Sequence, residues 1–243
     1  RATRARFTGR RPQGANVPAP PGGTSKEVAR YERGRPRCAR GRWTWAGVSL
    51  RLRDRFPAAR MQLLLDRCSI RSWRPGDAER LATIANDRSI WLMVRDRFPD
   101  PYTLADAVTY IEMVALESPE RNFAIAVDDV VVGGIACIPG EDINRVKAEV
   151  GYWLGADARG RGLATEALRG FVDWIWANTS LQHLTASVFT YNPESARVLE
   201  NAGFSLAYLA RKAAIKDGKV CDEWTYCLVR EDGKTGRRED EIP

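Results

Sequence analysis

The sequence has little of what metal sites and disulfide frameworks require. It contains a single histidine, His183, and an odd number of cysteines without a Cys-x-x-Cys pair. One histidine and cysteines without this spacing do not suit the usual zinc sites, and an odd number of cysteines does not suit a disulfide framework. We therefore expect no structural metal and a reducing, cytoplasmic compartment. The cysteines are Cys38, Cys68, Cys137, Cys221 and Cys227.

Long apolar runs are also missing, since no uninterrupted stretch approaches the roughly 20 residues that span a bilayer. Acidic residues are scarce in the first 60 positions, which hold 16 Lys/Arg against 3 Asp/Glu, a net charge of +13. The remaining residues hold 22 against 28, a net charge of −6. We expect no membrane association of the working part, and the basic character of the chain belongs to residues 1–60.

The first 60 residues repeat Arg, Pro and Gly without an apolar period, so they offer little surface to bury against their chain entropy. We expect this segment to be mostly disordered. Three interpretations stay open: extraneous sequence, a basic arm for nucleic acid or the ribosome, or a targeting segment.

From Met61 onward, apolar periodicity predicts one α/β domain over residues 61–232, followed by a flexible charged tail at 233–243. Asp77 and Thr103 are candidate caps of the first two helices, and Asp128-Asp129 and Asp217-Gly218 are candidate tight turns. The predicted order is βααβββαβαββ, a mostly antiparallel sheet flanked by about four helices. The predicted strands cover 68–73, 123–127, 130–138, 146–154, 184–189, 205–215 and 222–229, and the later helices cover 163–178 and 194–202.

An Arg/Gly run, Arg159-Gly160-Arg161-Gly162-Leu163-Ala164, precedes the helix at 163–178. Glycines permit positive φ and leave backbone N–H groups open to a ligand. The first turn of the helix adds unpaired amides and a positive dipole end, which suit a diphosphate. The spacing matches neither a P-loop nor a dinucleotide fingerprint, so ATP and NAD fit less well. By itself the run is also typical of a solvated turn.

Flanking segments at 149–154 and 192–204 extend this pattern. With them, the chain resembles the GNAT superfamily of acetyltransferases over about residues 66–231, in particular the RimJ/RimL-like branch that acetylates ribosomal-protein N-termini. The family motif Arg/Gln-x-x-Gly-x-Gly/Ala is matched by Arg159, Gly162 and Ala164. The resemblance implies a V-shaped splay between the strands at 146–154 and 184–189, which admits the pantetheine of acetyl-CoA. The implied CoA contacts are Trp153, Leu154, Arg159, Gly160, Arg161, Gly162, Leu163, Ala164, Thr165, Asn192 and Ser195.

Acyl transfer to an amine needs a base and a proton for the leaving thiolate. Glu149, on the strand that leads into the implied cleft, is the candidate base; it is alternatively an exposed strand carboxylate or an ion-pair partner of Lys147 or Arg145. Ser195 is the candidate acid. Asn192, which resembles the family's cofactor-binding Asn, is also a good helix cap.

Three further groups have both a chemical and a structural interpretation. Tyr191 is a second acid candidate or a packing residue. Cys137 is a candidate acyl-enzyme nucleophile, although a buried core thiol is the better interpretation because no His partner lies nearby. The stretch 86–102, with Trp91, Phe98 and Tyr102, either lines an acceptor pocket or anchors a loop.

These features together predict an acyltransferase that moves acetyl from acetyl-CoA to a primary amine, of a protein N-terminus or a small molecule, as a monomer or homodimer. Two alternatives remain at this stage. One is a non-catalytic acyl-CoA-binding regulatory module. The other is a ribosome- or nucleic-acid-associated protein that binds through residues 1–60.

Overall fold

The computed structural model describes residues 61–231 and, separately, two antiparallel dipeptide strands, Cys38–Ala39 and Arg42–Trp43. The predictions of disorder or extraneous sequence in residues 1–60 and of a flexible tail at 233–243 lie outside the described residues, apart from this short pairing. None of the helices in the described part of the chain combines the length and apolar character needed to cross a membrane.

Within residues 61–231, eight strands form one sheet in the order β1-β2-β3-β4-β5-β6-β8-β7, with five α-helices around it. The strands are β1 Gln62–Leu64, β2 Ser69–Ser72, β3 Asn122–Val127, β4 Val130–Pro139, β5 Lys147–Leu154, β6 His183–Phe189, β7 Ser205–Lys216 and β8 Lys219–Val229. The helices are α1 Ala78–Ala85, α2 Arg88–Trp91, α3 Leu104–Ala115, α4 Leu163–Asn178 and α5 Pro193–Asn201.

The predicted α/β class is confirmed, and the predicted helices and strands occur in the predicted order along the chain. β5 and β6 pair in parallel, because α4 carries the chain back over the sheet, and the other neighbouring strands pair antiparallel. Two short elements were not predicted, the three-residue β1 and the one-turn α2. Segments this short contain too few residues to display a period.

Both predicted tight turns are present. Asp128 and Asp129 have φ of 49° and 65°, and Asp217 and Gly218 have φ of 50° and 72°. Two successive residues with positive φ match the right-handed twist of the flanking strands, so such turns connect hairpins without splaying them.

The sheet has two covered faces, here called the α4 face and the α1 face. The α4 face packs under α4 and α5, and its core includes Ile70, Phe123, Ile125, Val150, Leu168, Phe171, Ile175, Leu184 and Leu199. The α1 face packs under α1 and α3, and its core includes Trp73, Leu81, Ile84, Tyr102, Ile111 and Val131. Alternate residues of a strand point to opposite faces, so β5 contributes Val150 to one core and Trp153 to the edge of the other.

The predicted caps have different outcomes. Thr103 caps α3 in a capping box with Asp106, as predicted. The prediction for Asp77 was wrong, because its carboxylate makes no cap hydrogen bond to α1. It accepts instead from both terminal nitrogens of Arg71, at 2.8 and 2.9 Å, and from the Arg74 amide. Arg71 and Asp77 are both buried. A buried guanidinium without a partner costs more free energy than a missing helix cap, so the Asp77 carboxylate pairs with Arg71.

Candidate functional site

A gap opens between β5 and β6. The parallel pairing joins Lys147, Ala148 and Glu149 to the first three residues of β6 and stops at the pair Glu149 and Thr185. β5 continues to Leu154 and β6 to Phe189 without further pairing to each other. The edge of β5 that faces this gap therefore presents backbone groups that no strand in the described range 61–231 occupies. This is the splay that the sequence resemblance implied.

The Arg/Gly loop lies directly before α4, a helix of 16 residues. Gly160 and Gly162 have φ of 71° and 76°, in the left-handed region where glycine carries no steric cost. Residues 160–162 are exposed, and a Cβ at Gly160 would meet no atom within 4 Å. The first-turn amides of Leu163, Ala164 and Thr165 have no intrahelical acceptor. An anion can therefore reach the backbone amides of this loop and the helix dipole together.

Two arginines hold the loop in place. Arg159 donates from Nε to the Leu154 carbonyl at 3.0 Å and from Nη1 to Ser89 Oγ at 3.0 Å. Arg67 donates from Nη1 to the Arg161 carbonyl and from Nε to Glu166 in the first turn of α4. The guanidinium of Arg159 therefore fixes the start of the loop to the end of β5, whereas Arg161 is exposed beside the amides.

The predicted base Glu149 lies on β5 at the point where the gap begins. Its carboxylate is bound by the guanidinium of Arg95, from the connection between α2 and α3, through both carboxylate oxygens. The alternative partners named from the sequence, Lys147 and Arg145, were wrong; the Arg145 guanidinium donates to the Asp142 carbonyl. Glu149 thus belongs to the α1 face of β5, at the edge of the gap.

Asn192 and Ser195 meet the gap from the other face. Asn192 Oδ1 caps α5 by accepting from the Ser195 amide at 3.2 Å, so the capping interpretation is correct and leaves Nδ2 for another partner. Ser195 Oγ lies 3.0 Å from the hydroxyl of Tyr152, which comes from β5. Tyr152 was not singled out from the sequence. Strand alternation alone would have predicted that its side chain lies on the α4 face, because Tyr152 comes two residues after Val150.

Tyr191, the second acid candidate, is engaged elsewhere. Its hydroxyl donates to the Leu92 carbonyl at 2.9 Å, and its ring stacks on Phe189. Burial, helped by the nearby Cys221, raises the pKa of Tyr191 to about 12. The phenol therefore stays protonated near neutral pH, and its hydroxyl is already used in a hydrogen bond to the connection between α2 and α3.

That connection is tied to the β7–β8 hairpin. Lys216, which is 3% exposed, donates to Asp96 at 2.6 Å and lies 3.7 Å from the centroid of the Trp91 ring. Arg88 forms ion pairs with Asp100 and with Asp217 at the hairpin turn. These contacts, here called the hairpin latch, hold the segment whose Arg95 binds Glu149, where the gap begins.

The aromatic residues of this stretch anchor it, as one of the two interpretations predicted. Tyr102 is buried, and the Phe98 ring packs at 4.8 Å from Tyr102 and 5.7 Å from Trp153. A Cβ at Gly134 would lie 2.8 Å from the Trp153 indole nitrogen, so the absence of a side chain there admits the ring. Cys137 is a fully buried core thiol, and burial raises its pKa to about 12. This position does not suit a nucleophile.

The arrangement combines an exposed amide loop, a gap between parallel strands and polar side chains on both faces of that gap. Residues 67–205 match the family model described as acetyltransferase (GNAT) domain. The match spans more than half of the chain. The chain therefore belongs to the GNAT acetyltransferase family, and it is an enzyme of the N-acetyltransferase class, which transfers an acetyl group to an amine.

Similar proteins agree with this assignment. The uncharacterized N-acetyltransferase p20 of Bacillus licheniformis is 27% identical over 173 residues, covering 69% of this chain and 96% of the relative. The putative ribosomal N-acetyltransferase YdaF of Bacillus subtilis is 26% identical over 172 residues, covering 67% and 91%. The structure of Mycobacterium smegmatis RimJ in complex with CoA-disulfide superposes with a TM-score of 0.62 at 21% identity, covering 70% and 86%. That structure supports the fold.

Proposed function

We propose that this enzyme transfers the acetyl group of acetyl-CoA to a primary amine by direct attack within a ternary complex. The observation that carries the proposal is the junction of the β5–β6 gap with the exposed amide loop at 160–162. The gap accepts an extended chain that hydrogen-bonds to backbone, and the loop accepts a diphosphate. CoA has both parts in this order, a pantetheine arm followed by a pyrophosphate.

The donor site in this proposal consists mostly of backbone. The amides of 160–165 hold the pyrophosphate and Arg161 adds positive charge, while Arg159 fixes the loop to β5. Trp153 and Leu154 present the strand edge that pairs with pantetheine. Asn192 offers its free amide group to the same arm. These groups position the thioester in the gap, which supplies much of the rate when two reactants must meet in line.

The two proton-transferring groups lie on opposite faces of β5. Glu149 accepts a proton from the incoming amine on the α1 face, directly or through water. Ser195 supplies a proton to the departing sulfur from the α4 face, where its hydroxyl lies against Tyr152. Because the gap passes between the two faces, a thioester within it is open to both. Tyr191 is the less suitable proton donor, because its hydroxyl already donates to the Leu92 carbonyl.

The Arg95 guanidinium is hydrogen-bonded to the Glu149 carboxylate in this structure. An incoming ammonium group carries the same charge and takes its place, which brings the amine next to the base before it loses its proton. Protein N-termini are the acceptors that we propose first, because the similar proteins include YdaF, named as a putative ribosomal N-acetyltransferase. A small-molecule amine is the other candidate. The reaction then takes place in the cytoplasm, where acetyl-CoA and nascent proteins meet.

The proposal is tested with the full chain, acetyl-CoA, and a panel of N-terminal peptides and small amines, by following release of free CoA. Glu149→Gln is expected to lower kcat by about 100-fold or more near neutral pH, in the range of a lost general base. Glu141→Gln, at an exposed position before β5, is the matched control and should leave kcat unchanged. Binding of acetyl-CoA without turnover on any acceptor would favour the non-catalytic acyl-CoA module instead.

A further inference from the structure

The Tyr152 hydroxyl contacts one residue twice. It lies 3.0 Å from the backbone carbonyl of Ser195 and 3.0 Å from its side-chain Oγ. Tyr152 comes from β5 and Ser195 from the first turn of α5. β6, which lies beside β5, ends at Phe189, three residues before the Asn192 cap of α5. The phenol thus bridges the open end of the gap on the α4 face.

Hydrogen counting limits how these two contacts are made. A carbonyl only accepts, and a phenol and a serine hydroxyl each have one proton to donate. With nothing bound, both contacts are satisfied when Tyr152 donates to the Ser195 carbonyl and Ser195 donates to the phenol oxygen. If the Ser195 proton turns towards another acceptor in the gap, the phenol proton can turn to Ser195 Oγ without moving the ring.

The phenol keeps its proton throughout. Its hydroxyl is enclosed between β5 and α5, and burial raises the pKa of Tyr152 above the usual value for tyrosine. Tyr152 therefore remains a hydrogen-bond donor near neutral pH, and a phenolate is not available there as a base.

We propose that Tyr152 is the positioning residue for Ser195 in the acetyl-transfer reaction. This inference rests on the proposed function, in which Ser195 serves the leaving sulfur of CoA. Tyr152 fixes the rotamer of Ser195 Oγ at the gap and donates its own hydrogen bond to that oxygen while the Ser195 proton is given away. The phenol thereby stabilises the negative charge that develops on Oγ.

The proton and electron balance of the step is as follows. The amine nitrogen forms a bond to the acetyl carbon, its proton passes to Glu149 or water, and the bond from carbon to sulfur breaks with its electron pair on sulfur. Sulfur takes the Ser195 proton to give free CoA. Glu149 then releases its proton to solvent and Ser195 Oγ takes one up from solvent, so no net proton is gained or lost, and Tyr152 ends with the proton it began with.

The test compares Tyr152→Phe, Ser195→Ala and the double variant in the full chain, with acetyl-CoA and whichever amine supports turnover. Tyr152→Phe keeps the ring and removes only the hydroxyl. We expect kcat to fall by about tenfold, which corresponds to about 1.4 kcal/mol and so to the loss of one hydrogen bond, while KM for acetyl-CoA and for the amine stays within about twofold. The double variant should be no slower than Ser195→Ala, because both changes remove one function.

Tyr226→Phe is the matched control. Tyr226 is a buried phenol on β8 that donates to Glu200 of α5 at 2.9 Å. It ties the same helix to the sheet and does not touch Ser195. If Tyr152 merely holds α5, the two phenylalanine variants should show similar decreases in kcat and in melting temperature. Our proposal requires that, of these two variants, only Tyr152→Phe has a lower kcat.

The outcomes separate the two proposals. Unchanged kcat in Tyr152→Phe, with Ser195→Ala impaired, would overturn the role of Tyr152 alone. Additive losses in the double variant would do the same. Unchanged kcat in Ser195→Ala would remove the acid assignment on which this inference rests, while acetyl transfer itself would stand. Absence of turnover by the unmodified chain would reject the proposed function.

Discussion

The two faces of the sheet are built by different means. Under α4, the core is a set of aliphatic and phenylalanine side chains at strand and helix periods, such as Phe123, Phe171 and Leu184, all fully buried. Burial of each such side chain contributes about 1.5–3 kcal/mol. Under α1, charged and aromatic groups take a larger part: the Arg71–Asp77 ion pair is buried there, and the edge of the core is lined by Phe98 and Trp153.

This difference matches the two halves of the proposed reaction. CoA is the same molecule for every enzyme that uses it, and a loop of backbone amides before a helix is sufficient to hold its pyrophosphate. Acceptors differ between enzymes, and in the proposed reaction the acceptor enters on the α1 face, where Arg95 and the hairpin latch bring together side chains from separate segments. The donor half, which binds CoA, therefore depends on local sequence. The acceptor half, which binds the amine, depends on contacts between residues that are distant in the chain.

The largest effect that we expect concerns the ion pair on the α1 face. Asp77→Ala leaves Arg71, a residue that is 2% exposed, with only the more exposed Asp129 as a carboxylate partner. Loss of one member of a buried pair costs about 3–5 kcal/mol of unfolding free energy, which urea denaturation measures. The double variant Arg71→Met with Asp77→Leu should recover most of that loss, because no charge remains buried. Equal stability of Asp77→Ala and the original chain would remove the contrast between the two faces.

A smaller effect is expected at the hairpin latch. Lys216→Met keeps the methylene chain and removes the ammonium that contacts Asp96 and Trp91. We expect KM for the amine to rise about three- to tenfold, as the loss of a desolvated cation–π contact implies, with KM for acetyl-CoA unchanged. Lys219→Met, at the exposed position paired with Lys216 across the hairpin, is the matched control. A change in KM for acetyl-CoA instead would show that the latch does not belong to the acceptor half.

The features that could be predicted from the sequence are those that depend on local sequence. The helix at 163–178 was predicted with the bounds of α4, because its apolar residues recur at the helical period over four turns. The splay between β5 and β6 required the family resemblance, since alternation within a strand does not say where pairing stops. The short elements β1 and α2 carry too few residues for a pattern.

The contacts that surround Glu149 had no local signal. Arg95 is 54 positions away in the chain, and Lys216 is 120 positions from Asp96. From the sequence, the partners expected for Glu149 were its chain neighbours Arg145 and Lys147. This was wrong, because residues that are close along the chain need not have side chains that meet in the fold. Tyr152 was closer to being predictable, since its parity with Val150 on β5 indicates the face on which Ser195 lies.

The most direct test of the central claim, that the loop before α4 holds the pyrophosphate of CoA, is a calorimetric comparison of CoA with pantetheine, which lacks that group. The full chain and Gly162→Trp are titrated with both, and Gly76→Ala, where a Cβ meets nothing within 4 Å, serves as control. We predict that Gly162→Trp weakens CoA binding by about 100-fold, the loss of two hydrogen bonds to a charged group, and leaves pantetheine binding nearly unchanged. Equal weakening of both ligands, or unchanged affinity for CoA, would contradict the claim.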